Sequence, residues 1–147
     1  MRHRMLAALA VALLAAAAPA EDAARKDLDA LQGEWVMAAL EIDGKQVPEE
    51  KIKGTTLTVK GDKYIVKVKD NSHEVTFKLD PSQKPKAIDM FLPNGTDAPK
   101  RSPGIYKIEG DTFQLCRAQA AEQERPRDFG TWPNTGVFLV TWKRKAP

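Results

Sequence analysis

The stretch LQGEWVMAALEIDGKQVPEE, residues 31–50, decides the fold of this chain. It opens with a Gly-x-Trp element at residues 33–35, continues as a mostly apolar run to Ile42, and then reaches a turn that contains Gly44. A short run of apolar and aromatic residues that is bounded by glycines is typical of a β-strand. We therefore interpret this stretch as the first strand of the domain. The segments before and after it are then placed relative to this strand.

A short helix is predicted just before this strand. Leu28 and Leu31 lie three residues apart, which is the spacing of one helical face, and Asp22 is suited to cap the N-terminus. The helical spacing ends at Gly33. We expect a helix over residues 23–31 that either packs outside the sheet or covers one end of it.

After the first strand, apolar and polar residues alternate in segments separated by turn residues, which predicts an all-β domain. In one segment, for example, Tyr64, Val66 and Val68 share one face, and the other face carries Lys63, Lys67 and Lys69. The predicted strands are residues 35–42, 55–60, 63–69, 73–80, 86–92, 105–109, 112–117 and 137–145. Pro48 is predicted to open a single helical turn. Loops are predicted for residues 93–104 and 118–136.

Eight strands in a row, most of them joined by short turns, favour neighbours that run up and down. An open sheet of this size exposes two long edges, and closing it removes them. The fold predicted is therefore an eight-stranded antiparallel up-and-down barrel, whose interior is either filled by side chains or holds one small ligand. A two-sheet sandwich is the competing way to close the sheet, and the strand pattern alone separates the two poorly.

Six segments, taken in order, resemble a known family over nearly the whole chain after residue 20. They are LQGEWVMAALEIDGKQVPEEKIKG, GDKYIV, FKLDPSQKPKAIDM, GIYKIEGDTFQLC, ERPRDF and LVTWKRK. Together they are similar to the small uncharacterised lipocalin-like domain that is expanded in planctomycete bacteria. The resemblance implies a calycin-type barrel. It implies no activity, ligand or catalytic residue, because none is established for the family.

In calycin-type barrels the tryptophan of the Gly-x-Trp element packs at the closed end against a basic side chain of the final strand. The resemblance thus implies that Trp35 packs against Arg144 or Lys143. A second Gly-x-Trp, at residues 130–132, is followed by Pro133 and is interpreted as an accidental match in a loop.

The first twenty residues have the pattern of a secretory signal peptide: a basic start, a run of thirteen mostly alanine and leucine residues, and an Ala-Pro-Ala cleavage site. The domain predicted after cleavage is residues 21–147, exported to the periplasm or the extracellular space, with no membrane span. Loss of Arg2 and Arg4 lowers the Lys and Arg count from 23 to 21, against 20 Asp and Glu. A nucleic-acid partner is not expected, because the remaining charge is nearly balanced.

The sequence carries little that suggests catalysis. Cys116 is the single cysteine, so it has no internal disulfide partner, and His73 is the single histidine after residue 20. A zinc site of the usual ligands cannot be assembled from one of each. No phosphate loop, dinucleotide glycine set or nucleophile elbow is present. We expect a protein that is not an enzyme, with no metal and no cofactor, and Cys116 buried as a small apolar residue.

The function predicted is the binding of a small apolar or amphipathic molecule by a monomeric barrel. The alternative is a packed barrel that serves as a structural or protein-interaction module of the cell envelope. The loop over residues 118–136 is predicted either to bind an anionic ligand at the barrel mouth or to fold back and plug the barrel end. The residues predicted to bind the ligand are Trp35, Tyr64, Val66, Phe77, Met90 and Leu115 inside the barrel, with Arg125 and Arg127 in the loop.

Overall fold

The computed structural model describes residues 17–146, with side chains from residue 19 onward. Most of the predicted signal peptide lies outside the described residues, and the predicted cleavage point after Ala20 falls within the first helix. The helices are α1 (Ala17–Leu31) and α2 (Glu49–Ile52). The strands are β1 (Gly33–Ile42), β2 (Lys45–Gln46), β3 (Thr56–Lys60), β4 (Lys63–Val68), β5 (Asn71–Asp80), β6 (Ala87–Asn94), β7 (Asp97–Glu109), β8 (Thr112–Ala118) and β9 (Val137–Arg144).

The strands form one closed antiparallel barrel. From β3 to β9 each strand pairs with the next, β3 also pairs with β1, and β9 returns to pair with β1. The closing ladder runs from the pair Trp35 and Arg144 to the pair Ile42 and Phe138. Eight strands make the barrel, and β2 adds only a two-residue pairing to the end of β1. The predicted eight-stranded barrel is confirmed, and the sandwich alternative is wrong.

Alternation along the strands sends one set of side chains inward and the other outward. The inward side chains fill one half of the barrel with aromatic and aliphatic groups. Trp35 and Phe113 lie at its centre, fully buried, with ring centroids 5.8 Å apart. Around them pack Leu57, Val59, Phe77, Leu79, Ile88, Met90 and Tyr106. This half of the barrel is a packed core rather than a cavity.

The helix α1 covers the end of this filled half. Leu31 is 1% exposed within the core, and its carbonyl oxygen accepts a hydrogen bond of 2.9 Å from the Trp35 indole Nε1. The Asp27 carboxylate accepts a 2.7 Å hydrogen bond from the Tyr106 hydroxyl and pairs with the Lys86 ammonium at 2.9 Å. Of the two placements considered for the helix, the cap over the barrel end is confirmed.

The closed end also has the predicted pairing of tryptophan with a basic side chain. The Arg144 guanidinium lies 4.2 Å from the centre of the Trp35 ring. It donates hydrogen bonds to the carbonyl oxygens of Gln32 and Ala30, so it ties the last strand to the end of α1. Lys143 is exposed on the outer face. Arg144 is therefore the residue that meets the tryptophan, and this arrangement is consistent with a calycin-like fold.

The predicted loop over residues 93–104 is wrong. The segment forms the end of β6, a turn at Gly95 and the first half of β7. The prolines in this segment favour a loop prediction, because proline lacks the N–H group that a central strand needs. The pairing of β7 with β8 starts only at Gly104, so residues 97–103 pair with β6 alone and form an edge. Prolines are tolerated there because these residues have a partner strand on one side only, and the side away from β6 needs no N–H groups.

The helices described by the structure are too short or too polar to cross a membrane.

Candidate functional site

The barrel contains a cavity at the end opposite α1. Its volume is about 280 Å³ and it opens to solvent. Most of its wall is apolar, and only Arg117 among the described residues that line it is charged. The lining residues are Met37, Leu40, Ile42, Tyr64, Val66, Leu115, Arg117, Gln119, Phe138, Val140 and Trp142. The site is thus an apolar pocket with a small polar part.

The floor of the cavity is a pair of aromatic rings that separates it from the filled half. Trp142 and Tyr64 meet edge to face, with ring centroids 6.4 Å apart and an interplanar angle of 76°. The Trp142 indole Nε1 donates a 2.8 Å hydrogen bond to the Tyr64 hydroxyl oxygen. Burial raises the pKa of the Tyr64 phenol above its ordinary value. The floor therefore stays uncharged at neutral pH, and its polar atoms hold each other in place.

A β-bulge in the first strand shapes one wall. The register of β1 against β9 shifts between Met37 and Ala39, so two residues of β1 stand opposite one residue of β9. Trp35 and Met37 point inward before the bulge, whereas Leu40 and Ile42 point inward after it. The bulge therefore keeps apolar side chains on the cavity wall although their spacing in the sequence breaks the alternation.

Arg117 lies near the cavity mouth on the inner face of β8. Its Nη1 donates hydrogen bonds to the Ser102 hydroxyl, at 3.1 Å, and to the Ala118 carbonyl oxygen, at 2.8 Å. The guanidinium carbon lies 4.7 Å from the centre of the Phe138 ring. Burial lowers the pKa of this guanidinium, because desolvation disfavours its charged form. Three neighbours thus hold a partly desolvated cation at the edge of an apolar pocket.

The structure divides the six predicted interior residues into two groups. Tyr64, Val66 and Leu115 line the cavity. Trp35, Phe77 and Met90 are packed into the core at 0%, 5% and 1% exposure and do not line it. Binding at any of the six stays a prediction, because no ligand contact is shown. Alternation along the strands predicts inward-facing residues over the whole barrel, whereas only one end is hollow.

Sequence reasoning missed Arg117 and the wall residues Met37, Leu40 and Phe138. A signal for Arg117 was present, since residues 113, 115 and 117 alternate on one face of a predicted strand whose first two members are apolar. A charged residue on that face is unusual in a barrel interior. The bulge that turns Leu40 inward has no comparable signal in the sequence.

The loop over residues 119–136 lies on the outer wall, so the predicted placement at the barrel mouth is corrected. Arg125 donates to the carbonyl oxygens of Ile88 and Gly104, at 3.1 and 2.8 Å, and pairs with the Asp89 carboxylate at 2.7 Å. These contacts fix the loop to β6 and β7 from outside. Neither the anion site at the mouth nor the plug over the barrel end matches this position.

The rest of the loop follows the outer wall towards β1. Lys107 lies over the Phe129 ring at 5.0 Å, and the Thr131 hydroxyl hydrogen-bonds to the Glu41 carboxylate. Between them the Cys116 thiol, fully buried, lies 3.6 Å from the carbonyl oxygens of Asp128 and Gly130. The prediction that Cys116 is a small buried residue of a strand is confirmed. Arg127 is exposed.

Larger depressions on the outer wall lack the character of a ligand pocket. Two of them, of about 460 and 530 Å³, flank Arg125. Charged and polar side chains make up much of both linings, and Arg125, which lines both, already has three partners. Small-molecule sites are mostly apolar with a few converging polar groups. The cavity at the barrel mouth fits that description better although it is smaller.

The described part of the chain contains no group of three potential metal ligands. His73 is exposed at the start of β5, whereas Cys116 points outward beneath the loop. Burial raises the pKa of the Cys116 thiol, which disfavours the nucleophilic thiolate. The structure does not bring these two residues together into a nucleophilic pair.

Comparison with known proteins finds no family model, no curated protein and no solved structure that matches this chain.

Proposed function

We propose that the chain binds a small apolar or amphipathic molecule in the cavity at the open end of the barrel. One observation carries this proposal: the barrel is closed and packed at the α1 end, but hollow and apolar at the other. A cavity of about 280 Å³ lies just below the usual pocket range, which begins at about 300 Å³. It corresponds to about nine water volumes of about 30 Å³ each, so the ligand has on the order of ten non-hydrogen atoms inside the barrel.

The proposal includes export and membership of the calycin-type, lipocalin-like proteins. The N-terminal sequence pattern supports export. The closed eight-stranded barrel and the contact of Trp35 with Arg144 support the kinship. Expression of the full chain in a bacterial host, followed by fractionation and intact-mass measurement, tests the export step. We expect a periplasmic product that begins at Glu21, and a full-length cytoplasmic product contradicts export.

Binding is tested with octan-1-ol, a neutral amphiphile of nine non-hydrogen atoms, by isothermal titration calorimetry. We expect saturable one-site binding with a dissociation constant below 1 mM, which corresponds to a binding free energy of more than about 4 kcal/mol. Native mass spectrometry of the exported protein adds a search for a co-purified molecule. Absence of heat and of any bound mass counts against the proposal.

Two neighbouring substitutions localise the binding. Val66 lines the cavity, whereas Ile65 lies beside it on the same strand and points to the outer face. Val66→Trp fills part of the cavity, so we expect it to abolish octan-1-ol binding. Ile65→Trp adds the same bulk outside the barrel, and we expect it to preserve binding. Equal effects of both substitutions place the binding somewhere other than the cavity.

The alternative is that the barrel is a structural or interaction module of the envelope. The filled half of the barrel supports it, as does Trp132, which is 53% exposed on the outer loop. Under this alternative octan-1-ol does not bind, and Trp132→Ala weakens association with envelope components while leaving the fold unchanged. Pull-down from a membrane fraction with both forms of the protein measures that effect.

A further inference from the structure

The cavity contains a positive charge that has no negative partner among residues 17–146. Arg101, Arg125 and Arg144 each lie within 4.0 Å of an aspartate carboxylate oxygen. Arg117 forms no such pair with any residue between 17 and 146. It is nevertheless more buried than Arg101, and this burial lowers its pKa. A partly buried cation without a counter-ion is costly, because the protein interior solvates charge poorly. Packing alone does not explain why a charged side chain occupies this position in the cavity lining.

The hydrogen bonds of Arg117 leave one side of the guanidinium unused. Nη1 makes both of the hydrogen bonds that the group forms within the described chain. Nε is buried and has no partner there. The edge formed by Nε and Nη2 is one of the two edges with which arginine binds a carboxylate through paired N–H groups. The protein thus fixes the group through Nη1 and Phe138, and Nε and Nη2 have no hydrogen-bond partner among the described residues.

The cavity is polar at its mouth and apolar at its floor. Along the inner face of β8, Phe113 lies in the filled half, Leu115 in the middle and Arg117 towards the mouth, next to Gln119. Val140 and Trp142 line the deeper part. An amphipathic molecule that enters tail first therefore places its polar head beside the guanidinium while its chain contacts aliphatic and aromatic side chains.

We propose that the cavity is a receptor for single-chain carboxylates, whose head group is bound by the guanidinium of Arg117. This inference rests on the proposed function and narrows the ligand class from any small amphiphile to an anionic one. The head contributes one negative charge, which matches the single positive charge of the lining. An eight-carbon carboxylate has ten non-hydrogen atoms, which fits the cavity size derived above.

The test compares three ligands of equal chain length on the unaltered protein: octanoate, octan-1-ol and octylammonium, each titrated at pH 7 and low salt. We expect octanoate to bind about tenfold more tightly than octan-1-ol, which corresponds to about 1.4 kcal/mol. We expect octylammonium to bind more weakly than octan-1-ol, because Arg117 repels it. This comparison needs no substitution, so it does not depend on any variant folding.

Substitutions then assign the preference to one side chain. Arg117→Gln removes the charge, and we expect it to abolish the preference for octanoate while octan-1-ol still binds. Arg117→Lys retains the charge without the forked edge, and we expect a reduced preference. Arg25→Gln is the matched control, since it removes one positive charge from the exposed face of α1 at the other end of the barrel. It should leave the preference unchanged.

The outcomes separate this inference from the proposed function. Equal binding of octanoate and octan-1-ol overturns the carboxylate assignment and leaves the apolar pocket intact. A preference for octanoate that survives in Arg117→Gln also overturns the assignment, because the charge responsible then lies elsewhere. Binding of none of the three ligands contradicts the inference and the proposed function together.

Discussion

At the residue scale, Arg144 holds the closed end of the barrel together. It belongs to the last strand, and its guanidinium stacks on Trp35 of the first strand. It also donates hydrogen bonds to the carbonyl oxygens at the end of α1. Those carbonyls belong to the end of a helix, where backbone acceptors have no partner within the helix. A single side chain therefore joins three elements that are far apart in sequence.

Replacement of Arg144 tests that role. Arg144→Met retains the aliphatic stem but loses the stacking charge and both hydrogen bonds, so we expect a loss of about 2 kcal/mol in the free energy of unfolding. The exposed neighbour Lys143 serves as control, and Lys143→Met should change stability by less than about 0.5 kcal/mol. Urea unfolding followed by circular dichroism measures both. Similar losses in the two variants would show that the stacking contact contributes nothing.

Both tyrosines make the stability of the fold sensitive to alkali. Burial raises the pKa of both Tyr64 and Tyr106 above the ordinary value of 10.0, and the Asp27 carboxylate adds to the shift at Tyr106. Below pH 10 both are neutral in the folded and the unfolded chain, so the advantage of the neutral form is fully present. Above pH 10 the unfolded chain ionises first, and stability falls as the pH rises.

We expect a loss of about 1.4 kcal/mol per pH unit for each tyrosine once the pH exceeds about 10. The Cys116 thiol, whose pKa is also raised by burial, adds a third contribution of the same sign. Tyr64→Phe removes one of the three, so its stability should fall with about two thirds of the slope. Urea unfolding between pH 9 and pH 11.5 gives the slope, and tyrosinate absorbance reports ionisation directly. Appearance of tyrosinate near pH 10 while the chain is still folded contradicts the expectation.

At the scale of elements, the outer loop over residues 119–136 runs along the outside of the barrel wall as a belt and does not cover the barrel mouth. Arg125 fixes one end to β6 and β7, the Thr131 hydroxyl fixes the other end to β1, and Cys116 lies underneath. The sequence indicated a long loop with two arginines but not its path. That path depends on which backbone carbonyls and carboxylates lie on the outer wall, and those are known only once the barrel is assembled.

The reactivity of Cys116 reports whether the belt is closed. Arg125→Gln removes the ion pair with Asp89, and a local loss of about 1.4 kcal/mol raises the open population about tenfold. We expect the thiol to react with a disulfide reagent about tenfold faster in this variant than in the unaltered protein. Arg127→Gln removes an exposed charge in the same loop and should leave the rate unchanged. An unchanged rate in Arg125→Gln would show that the ion pair does not hold the belt.

Strand prediction succeeded where alternation was regular and failed where it was not. The barrel followed from alternating segments such as β4 and β5, whose inward side chains are apolar. The first half of β7 was missed because its prolines and charges match a loop, and they are tolerated only at an edge of the closed structure. The β1 bulge was missed because one extra residue leaves no compositional trace. Edges and bulges are properties of pairing, which a single strand does not encode.

At the scale of the whole molecule, the barrel is divided into a packed half and a hollow half. Helix α1 covers the first, and the ring pair of Trp142 and Tyr64 forms the boundary. The sequence predicted an interior without indicating where it is filled. The split depends on how bulky residues from different strands meet at one level of the barrel. Three of the residues predicted to bind the ligand therefore lie in the packed half and do not line the cavity.

Methyl NMR of the protein with octan-1-ol tests this division of the barrel directly. We expect intermolecular nuclear Overhauser effects from the ligand to the methyl groups of Leu40, Val66, Leu115 and Val140, which line the cavity. We expect none to Leu31, Leu57, Val59 and Leu79, which lie in the filled half. Contacts with the second group, or with methyl groups on the outer wall alone, would contradict the division of the barrel and the binding site derived from it.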